Sequence, residues 1–418
     1  MNISEDICEM DAKKTTLMEC YIDEFFNQLE IYEDIKHSNN FHRQQLNNSI
    51  RMFLKNPNSY NADRVYETFF KAYWMGIQDE VNPFVQLLIE MRSYEKQAGP
   101  LLDAHRDHYL HSIYVFLLGL SIYIMNSKYQ EVFNNTVVDN NCYPDSYKTK
   151  HEEFFYRWGL AALFHDIAYP LEITLKQAQR YIEFIFSYQC ENRDGDIIKL
   201  EPPNIDDLVT IDPLFPSNSF KQEYYIKYPS AANIESCVDH YMLLAHKLHN
   251  CFDVNIKDVS TSLKGYSQET SQKGFIDHGY YSAIIMLSWY HSLIKRTNWN
   301  PAYYYYPVLD SASAILLHNY FKHCLLKTPF SLPVMHPEQH PIAYLLILCD
   351  ELQDWNREPY SVNGVNEVIN VNDILITQEM LIIDYMCVEE GYLDKKRGEI
   401  DLVLDTGCIF EKGIIFKK

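Results

Sequence analysis

The stretch Leu160-Ala161-Ala162-Leu163-Phe164-His165-Asp166-Ile167-Ala168-Tyr169-Pro170 decides how this chain folds. An apolar run with helical character ends in two adjacent side chains able to bind a metal. A neutral imidazole beside a carboxylate suits a hard or borderline divalent cation. Burying both beside Phe164 without a metal or another partner would be costly. A His-Asp doublet alone arises by chance in a chain this long. Its company gives it weight: His111 precedes it, and His278, His318 and Asp350 follow, each embedded in an apolar stretch.

His111 is followed at four and seven residues by Val115 and Leu118, which places it on a core-facing helical stripe. His105, His108 and His111 are spaced three apart, so one helix face could carry them all. A lone histidine on such a stripe is usually a satisfied core residue, and three together weaken that reading. His111 is the ligand candidate, with His108 an alternative or a group behind the ligand. His278 opens Asp277-His278-Gly279-Tyr280-Tyr281-Ser282-Ala283-Ile284, where small residues let a neighbouring helix come close. Its bland alternative is a surface histidine at a helix start. His318 ends Ala314-Ile315-Leu316-Leu317-His318-Asn319. Asp350 closes Tyr344-Leu345-Leu346-Ile347-Leu348-Cys349-Asp350-Glu351, either as a ligand or as a cap or ion-pair partner of Arg357.

The surrounding chain predicts a mainly α fold. Residues 1–98 read as a helical extension, with stripes at Tyr21, Phe25, Phe26, Leu29 and Ile31 and at Val65, Phe69, Phe70 and Tyr73. Gly99-Pro100 is expected to open a long helix reaching about Met125. Residues 151–169 form a second buried helix that Pro170 ends, and 174–190 a third. Within 99–358 the pattern weakens over an insertion at about 191–230, rich in proline, Asp and Asn. Helices return at 233–251, 278–294, 311–326 and 341–355. Tyr303–Tyr306 reads as a packed surface loop. Residues 359–418 form a small α+β appendage, with strands expected at Val365–Ile376, Ile400–Leu404 and Cys408–Phe416.

Composition excludes several classes. Of 418 residues, 47% are hydrophobic and 22% charged, which describes a globular chain. The formal net charge of -21, with no long basic run, argues against a grip on duplex nucleic acid. A small phosphate ligand stays possible, because a bound metal supplies local positive charge. The ten cysteines (Cys8, Cys20, Cys142, Cys190, Cys237, Cys251, Cys324, Cys349, Cys387 and Cys408) form no C-x-x-C pair. They read as reduced core thiols of a cytoplasmic protein. Met1–Lys14 has no secretory character, and the apolar run Ile113–Met125 is too short for a bilayer, which needs about 20 residues, so no membrane association is expected.

Each candidate ligand sits on its own helix, and several helices can aim ligands at one bundle core. Six nitrogen and oxygen ligands exceed what one tetrahedral zinc needs. They suit two divalent ions bridged by one carboxylate, with Asp166 the natural bridge. The order His111, His165-Asp166, His278, His318, Asp350 resembles the HD superfamily of metal-dependent phosphohydrolases. Val115 four residues after His111, Ile167 after the doublet, Gly279 after His278 and Asn319 after His318 strengthen the likeness. It covers roughly residues 100–357. Many two-metal phosphodiesterases of that family carry Gly-Lys after the doublet, whereas Ala168-Tyr169-Pro170 follow here.

The resemblance implies an HD-type helical bundle and hydrolysis of a phosphate ester or anhydride in a small nucleotide. Asp166 and His165 are the expected catalytic centre. His111, His165 and Asp350 would complete one ion and His278 and His318 the other, with Asp166 between ions about 3.5–4 Å apart. The metal could be manganese, magnesium, iron, cobalt, nickel or zinc. Arg106, Tyr169, Arg357 and His108 are candidates for substrate binding. Some relatives use the same six ligands to hold two irons and activate dioxygen. A third possibility is a non-catalytic sensor or scaffold. The N-terminal helices could support a homo-oligomer.

Overall fold

The helix predicted around Ile113 carries apolar residues on every face, and it is buried on almost every face. A helix of that kind stays in water only when neighbours surround it. The structure is a computed structural model and describes residues 16–76, 82–98, 106–138, 149–187, 203–212, 214, 234, 236–297, 299–357, 369–386, 388 and 391–417. It is mainly helical, with a three-stranded sheet near the C-terminus. The longer helices are α1 (Leu17–Gln28), α2 (Phe41–Lys55), α3 (Ser59–Ala72), α4 (Pro83–Ala98), α5 (Tyr109–Met125), α6 (Ser127–Phe133), α7 (Lys150–Phe164) and α8 (Tyr169–Ser187). After the insertion come α9 (His240–Phe252), α10 (Ile256–Gln272), α11 (His278–Arg296), α12 (Leu309–Tyr320), α13 (Pro341–Leu352) and α14 (Tyr392–Val403).

Helices α5, α7, α12 and α13 form the centre. α5 packs on α7 and α13, α12 packs on α7 and α13, and α11 lies against α12. The N-terminal helices join the same continuous apolar core, with Phe25, Phe69 and Phe70 fully buried in it. Close approach depends on glycine. A Cβ on Gly119 of α5 would lie 2.1 Å from Trp158 of α7. The Trp158 indole N–H donates to the Phe116 carbonyl at 2.8 Å, which fixes the ring in that gap. Among the described residues no single helix is long and apolar enough to cross a membrane.

Several boundaries differ from the sequence expectation. α5 begins at Tyr109, because the Asp107 carboxylate accepts the Leu110 N–H at 2.6 Å and caps the start. His108 is therefore the residue before the helix, while Gly99-Pro100 and His105 lie outside the described residues. Pro170 does not simply stop a helix. α7 ends at Phe164, a four-residue turn carries His165-Asp166, and Pro170 sits in the first turn of α8, where its missing N–H costs nothing. Tyr303–Tyr306 is not a surface loop: Tyr304 and Tyr305 are buried in a π-turn leading into α12, and the Tyr304 hydroxyl meets His240 at 2.8 Å. The insertion at 191–230 falls mostly outside the described residues.

The sheet comprises β1 (Asn370–Ile376), β2 (Leu381–Met386) and β3 (Ile414–Lys417), in that order. β1 and β2 are antiparallel with Ile374 opposite Ile383, and β3 runs parallel to β2 with Ile414 opposite Leu381. The β2 strand was not anticipated, although Leu381, Ile383 and Tyr385 alternate inward. Ile400–Leu404 is not a strand. Its first residues finish α14, because Lys396, Ile400 and Val403 share one buried helical face. Leu404 makes a single bridge to Met335. Within 408–416 only the end pairs as a strand, and Thr406–Cys408 forms a 3-10 turn. The Tyr385 hydroxyl donates to the Leu352 carbonyl at 3.1 Å and ties the sheet to α13.

Gly119→Ala is expected to destabilise the fold by about 1–3 kcal/mol, since the added methyl overpacks against Trp158. Gly398→Ala, in α14 with nothing within 4 Å of the new methyl, is expected to stabilise it by about 0.5–1 kcal/mol. Chemical denaturation of both variants checks the pair; equal effects would refute the packing argument.

Candidate metal centre

Five helix ends meet at one place. α5 and α11 begin there with His111 and His278, while α7, α12 and α13 finish there with His165-Asp166, His318 and Asp350. Five helices of this size can converge only if their ends are held. The Asp277 side chain caps α11 by accepting the Tyr280 N–H at 3.1 Å. The turn after α7 is pinned where the Ala168 N–H donates to the Ser282 hydroxyl of α11 at 3.0 Å. Gly279 is required because a Cβ there would lie 2.5 Å from the His318 ring.

The six residues fall into two overlapping groups. In the first, Asp350 Oδ1 is 2.8 Å from His111 Nε2 and 3.6 Å from His165 Nε2. Asp166 Oδ2 is 3.1 Å from His165 Nε2 and 3.9 Å from His111 Nε2. In the second, Asp166 Oδ1 is 3.2 Å from His278 Nε2, which is 3.1 Å from His318 Nε2. His111, His165 and Asp166 bring donor atoms close enough to hold one metal ion, and so do Asp166, His278 and His318. Asp166 belongs to both, one carboxylate oxygen facing each way.

All four imidazoles are oriented alike. The Nδ1–H of His165 donates to the Ala162 carbonyl at 2.8 Å, and that of His318 to the Ile315 carbonyl. His278 Nδ1 donates to Glu172 Oε2 at 2.6 Å, and His111 Nδ1 to Gln353 Oε1. The Gln353 amide is itself fixed, because its Nε2 donates to the Trp355 carbonyl at 2.7 Å. A carbonyl or carboxylate only accepts, so each Nδ1 must carry a hydrogen, which leaves Nε2 as the atom that His111, His165 and His278 present to Asp350 and Asp166 and that His318 presents to His278. Acceptors that orient metal-binding histidines do this work in metalloproteins. His165 Nε2 is fully buried and makes no aligned hydrogen bond despite Asp166 beside it. An Nε2 so placed is one that a metal ion could use.

The charges are balanced against burial. Burial drives the His165 imidazole down, but Asp166 and Asp350 outweigh it and push it up to about 10. His278 is likewise raised against burial, by Asp166 and Glu172. Burial opposes ionisation of Asp166 and Asp350, yet His165 with His278, and His111 with His165, hold these carboxyls well below the usual range. Burial lowers His111, with the Arg357 charge adding to it, and burial with the His278 charge lowers His318 to about 4. Each group thus pairs one imidazole that keeps a proton with one that does not.

The other expected residues take different positions. His108 is set by Glu95, with Nδ1 2.8 Å from Oε1, and stacks on the Tyr169 ring at 3.5 Å. Tyr169 in turn faces His278 edge-on at 5.4 Å. Arg357 donates from Nε to the Asp107 carbonyl at 3.2 Å, and its charge acts on His111, Glu95 and Tyr169. Arg106 lies 3.6 Å from Asp354, whose other oxygen meets Lys396 of α14, so it faces the appendage. His240, His249 and His291 bond to Tyr304, Val254 and Asp212 instead, and none of them joins either group.

Sequence reasoning passed over Glu172, Gln353 and Asp277. Gln353 lies three residues beyond Asp350, a spacing that shares a helical face and could have been noticed. Glu172 pairs with Lys176 four residues on, which disguises it as an ordinary surface pair. No protein-family model matches this chain, and neither a curated protein nor a solved structure matches it.

A divalent cation must displace the protons on His165 and His278, so its affinity is expected to rise with pH, with proton release on binding. Titration calorimetry in two buffers of different ionisation enthalpy counts those protons; a pH-independent affinity contradicts the arrangement. In the cation-free chain, the raised His165 stabilises the fold below about pH 6.5 and loses that contribution as pH rises toward about 10.

Proposed function

We propose that this chain is a two-metal phosphohydrolase of HD type that cleaves a phosphate ester or anhydride in a small nucleotide. The observation that carries the reading is Asp166, buried and offering one oxygen to His111 and His165 and the other to His278. A shared carboxylate of this kind suits two ions held side by side. All the donors are nitrogen or oxygen, which fits manganese, magnesium, iron, cobalt, nickel or zinc rather than a thiolate-selective metal. Such ions, when bound, activate a water and polarise phosphate oxygens.

The chain's own groups fit the rest of the task. Asp166 fixes the two groups relative to each other, and Asp350 closes the first. Arg357 brings positive charge to the His111 side, where its planar guanidinium suits phosphate oxygens. Burial, then the Glu172 and Asp166 charges, push the Tyr169 phenol far up, so it keeps its proton and can donate to a phosphate oxygen. His108, held by Glu95 and stacked on Tyr169, would steady that phenol and take part in moving a proton to the leaving group. Tyr169 stands where many two-metal relatives place a Gly-Lys after the doublet, so hydrogen bonding replaces a fixed charge at that point.

The test is metal analysis of purified protein beside a nucleotide panel: cyclic and linear phosphodiesters, dinucleoside polyphosphates and deoxynucleoside triphosphates. Two ions per chain and phosphate-bond cleavage are expected with manganese, magnesium or cobalt. Asp166→Ala is expected to lose metal and to lower turnover by on the order of 10^3, the several kcal/mol that a metal-activated water supplies. Gly279→Ala is expected to displace His318 and to cut the stoichiometry toward one ion. Stoichiometric iron with oxygen-dependent absorption and no cleavage of any phosphate substrate would replace this reading with a di-iron oxygenase. Loss of metal in Asp166→Ala with every activity intact would leave a scaffold.

A further inference from the structure

A second concave site lies at the other end of α7. A cavity of about 410 Å3 is lined by Tyr73, Trp74, Tyr156, Trp299, Tyr303 and Glu152. That volume lies within the range of small-ligand pockets. Tyr156 joins two other rings of the lining: the Tyr73 ring lies 4.6 Å away at 49°, and Tyr303 meets it edge-on at 6.3 Å and 85°. Glu152 is 1% exposed, and its Oε1 accepts the Tyr32 N–H at 3.0 Å, which fixes the carboxylate. Glu33 and Lys36 also line the cavity, 3.5 Å apart. Among the described residues the lining therefore carries two carboxylates and one lysine.

Trp74 gives this cavity its direction. It is 49% exposed, and its φ is +55°. It follows Tyr73, the C-cap of α3, and the Met75 N–H closes the helix end on the Phe70 carbonyl at 2.9 Å. The left-handed position of such a helix end is ordinarily glycine. A bulky residue there is a conformational outlier, and outliers of this kind cluster at binding sites. Here the outlier sets an indole at the mouth of a pocket already walled by tyrosines.

We propose that this cavity binds a small organic cation of the quaternary-ammonium class. The faces of aromatic rings carry negative charge density, and several rings around one space attract a cation that is poorly hydrated. Glu33 is paired with Lys36, so Glu152 leaves the lining with one carboxylate in excess, which favours a cation over an anion. The net charge of -21 raises the local concentration of cations around the whole chain. From Tyr156 to His165, the residue that follows α7, is nine residues, roughly 13 Å at about 1.5 Å per residue, so the cavity is separate from the metal-ligand groups.

Calorimetric titration of the full-length chain with choline and with tetramethylammonium is expected to show one saturable site. The neutral isostere 3,3-dimethyl-1-butanol, and adenosine as a planar neutral base, are expected to bind at least about tenfold more weakly. Glu152→Gln, which keeps the shape and removes the charge, is expected to weaken choline by at least about tenfold. Trp74→Gly relieves the left-handed strain, so its melting temperature is expected to hold or rise by a few degrees while choline binding falls at least about tenfold. A protein that is no less stable and has lost the ligand has not simply unfolded. The proposal is overturned if neither cation binds, if the isostere or adenosine binds as tightly, or if Trp74→Gly binds choline like the wild type. Binding of a trimethyl-lysine peptide or of phosphatidylcholine vesicles without binding of free choline would also overturn it, in favour of a macromolecular partner.

Discussion

Asp166 sets the terms for the rest of the structure. It is a carboxylate buried to 3% exposure at the meeting point of five helix ends, with Asp350 and Glu172 close by. A buried carboxylate without compensation costs several kcal/mol. At Asp166 and Asp350 the fold answers, among the described residues, with imidazoles rather than with lysine or arginine in contact. Imidazoles can be steered through one nitrogen while the other does chemistry, and the four Nδ1 contacts show this steering: two backbone carbonyls, one amide and one carboxylate. The positions of Ala162, Ile315, Gln353 and Glu172 are therefore consequences of the need to aim four Nε2 atoms at one place.

That requirement also explains the packing. Ligands at helix ends are only as well placed as the helices behind them. α5, α7, α12 and α13 are buried around most of their circumference, which leaves them little freedom to slide. Glycines remove the last obstacles: Gly119 admits the Trp158 ring between α5 and α7, and Gly279 admits the His318 ring between α11 and α12. The N-terminal helices belong to the same core, so residues that carry no chemistry still restrain those that do.

Much of this was legible in the sequence, for a physical reason. Polar groups that end long apolar runs are costly unless they meet, so His111, His165, Asp166, His278, His318 and Asp350 stood out one by one, and the structure brings the first five into two groups with Asp350 against His111 and His165. What stayed hidden involved residues whose local surroundings look ordinary. Glu172 imitates a surface ion pair, and Gln353 is a neutral side chain at a helix end. Boundaries also misled. Pro170 reads as a stop, yet proline is equally at home in the first turn of the next helix. Ile400 and Val403 read as strand because they are β-branched, but burial of one helical face overrode that preference. His105 and most of the 191–230 insertion lie outside the described residues.

A second buried charge cluster compensates its carboxylate in a different way from the first. Asp310 of α12 is also buried, and it meets Lys247 Nζ at 2.6 Å, Arg157 Nη1 at 3.1 Å and His340 Nε2 at 3.6 Å. Arg157 also takes Glu153 at 2.8 Å. Here lysine and arginine answer carboxylates: Lys247, with its pKa raised by Asp310 against burial, stays charged, while burial lowers His340 to about 3 and keeps it neutral. Nothing in that network needs to gain or lose a proton near neutral pH, so it ties α7, α9 and α12 together. Around Asp166 the compensating charge is a proton on His165 and another on His278, and both can be exchanged for a divalent ion. The same cost of burying carboxylates is met in one place by fixed charge and in the other by replaceable charge. Only the second arrangement leaves a position that a divalent ion could take.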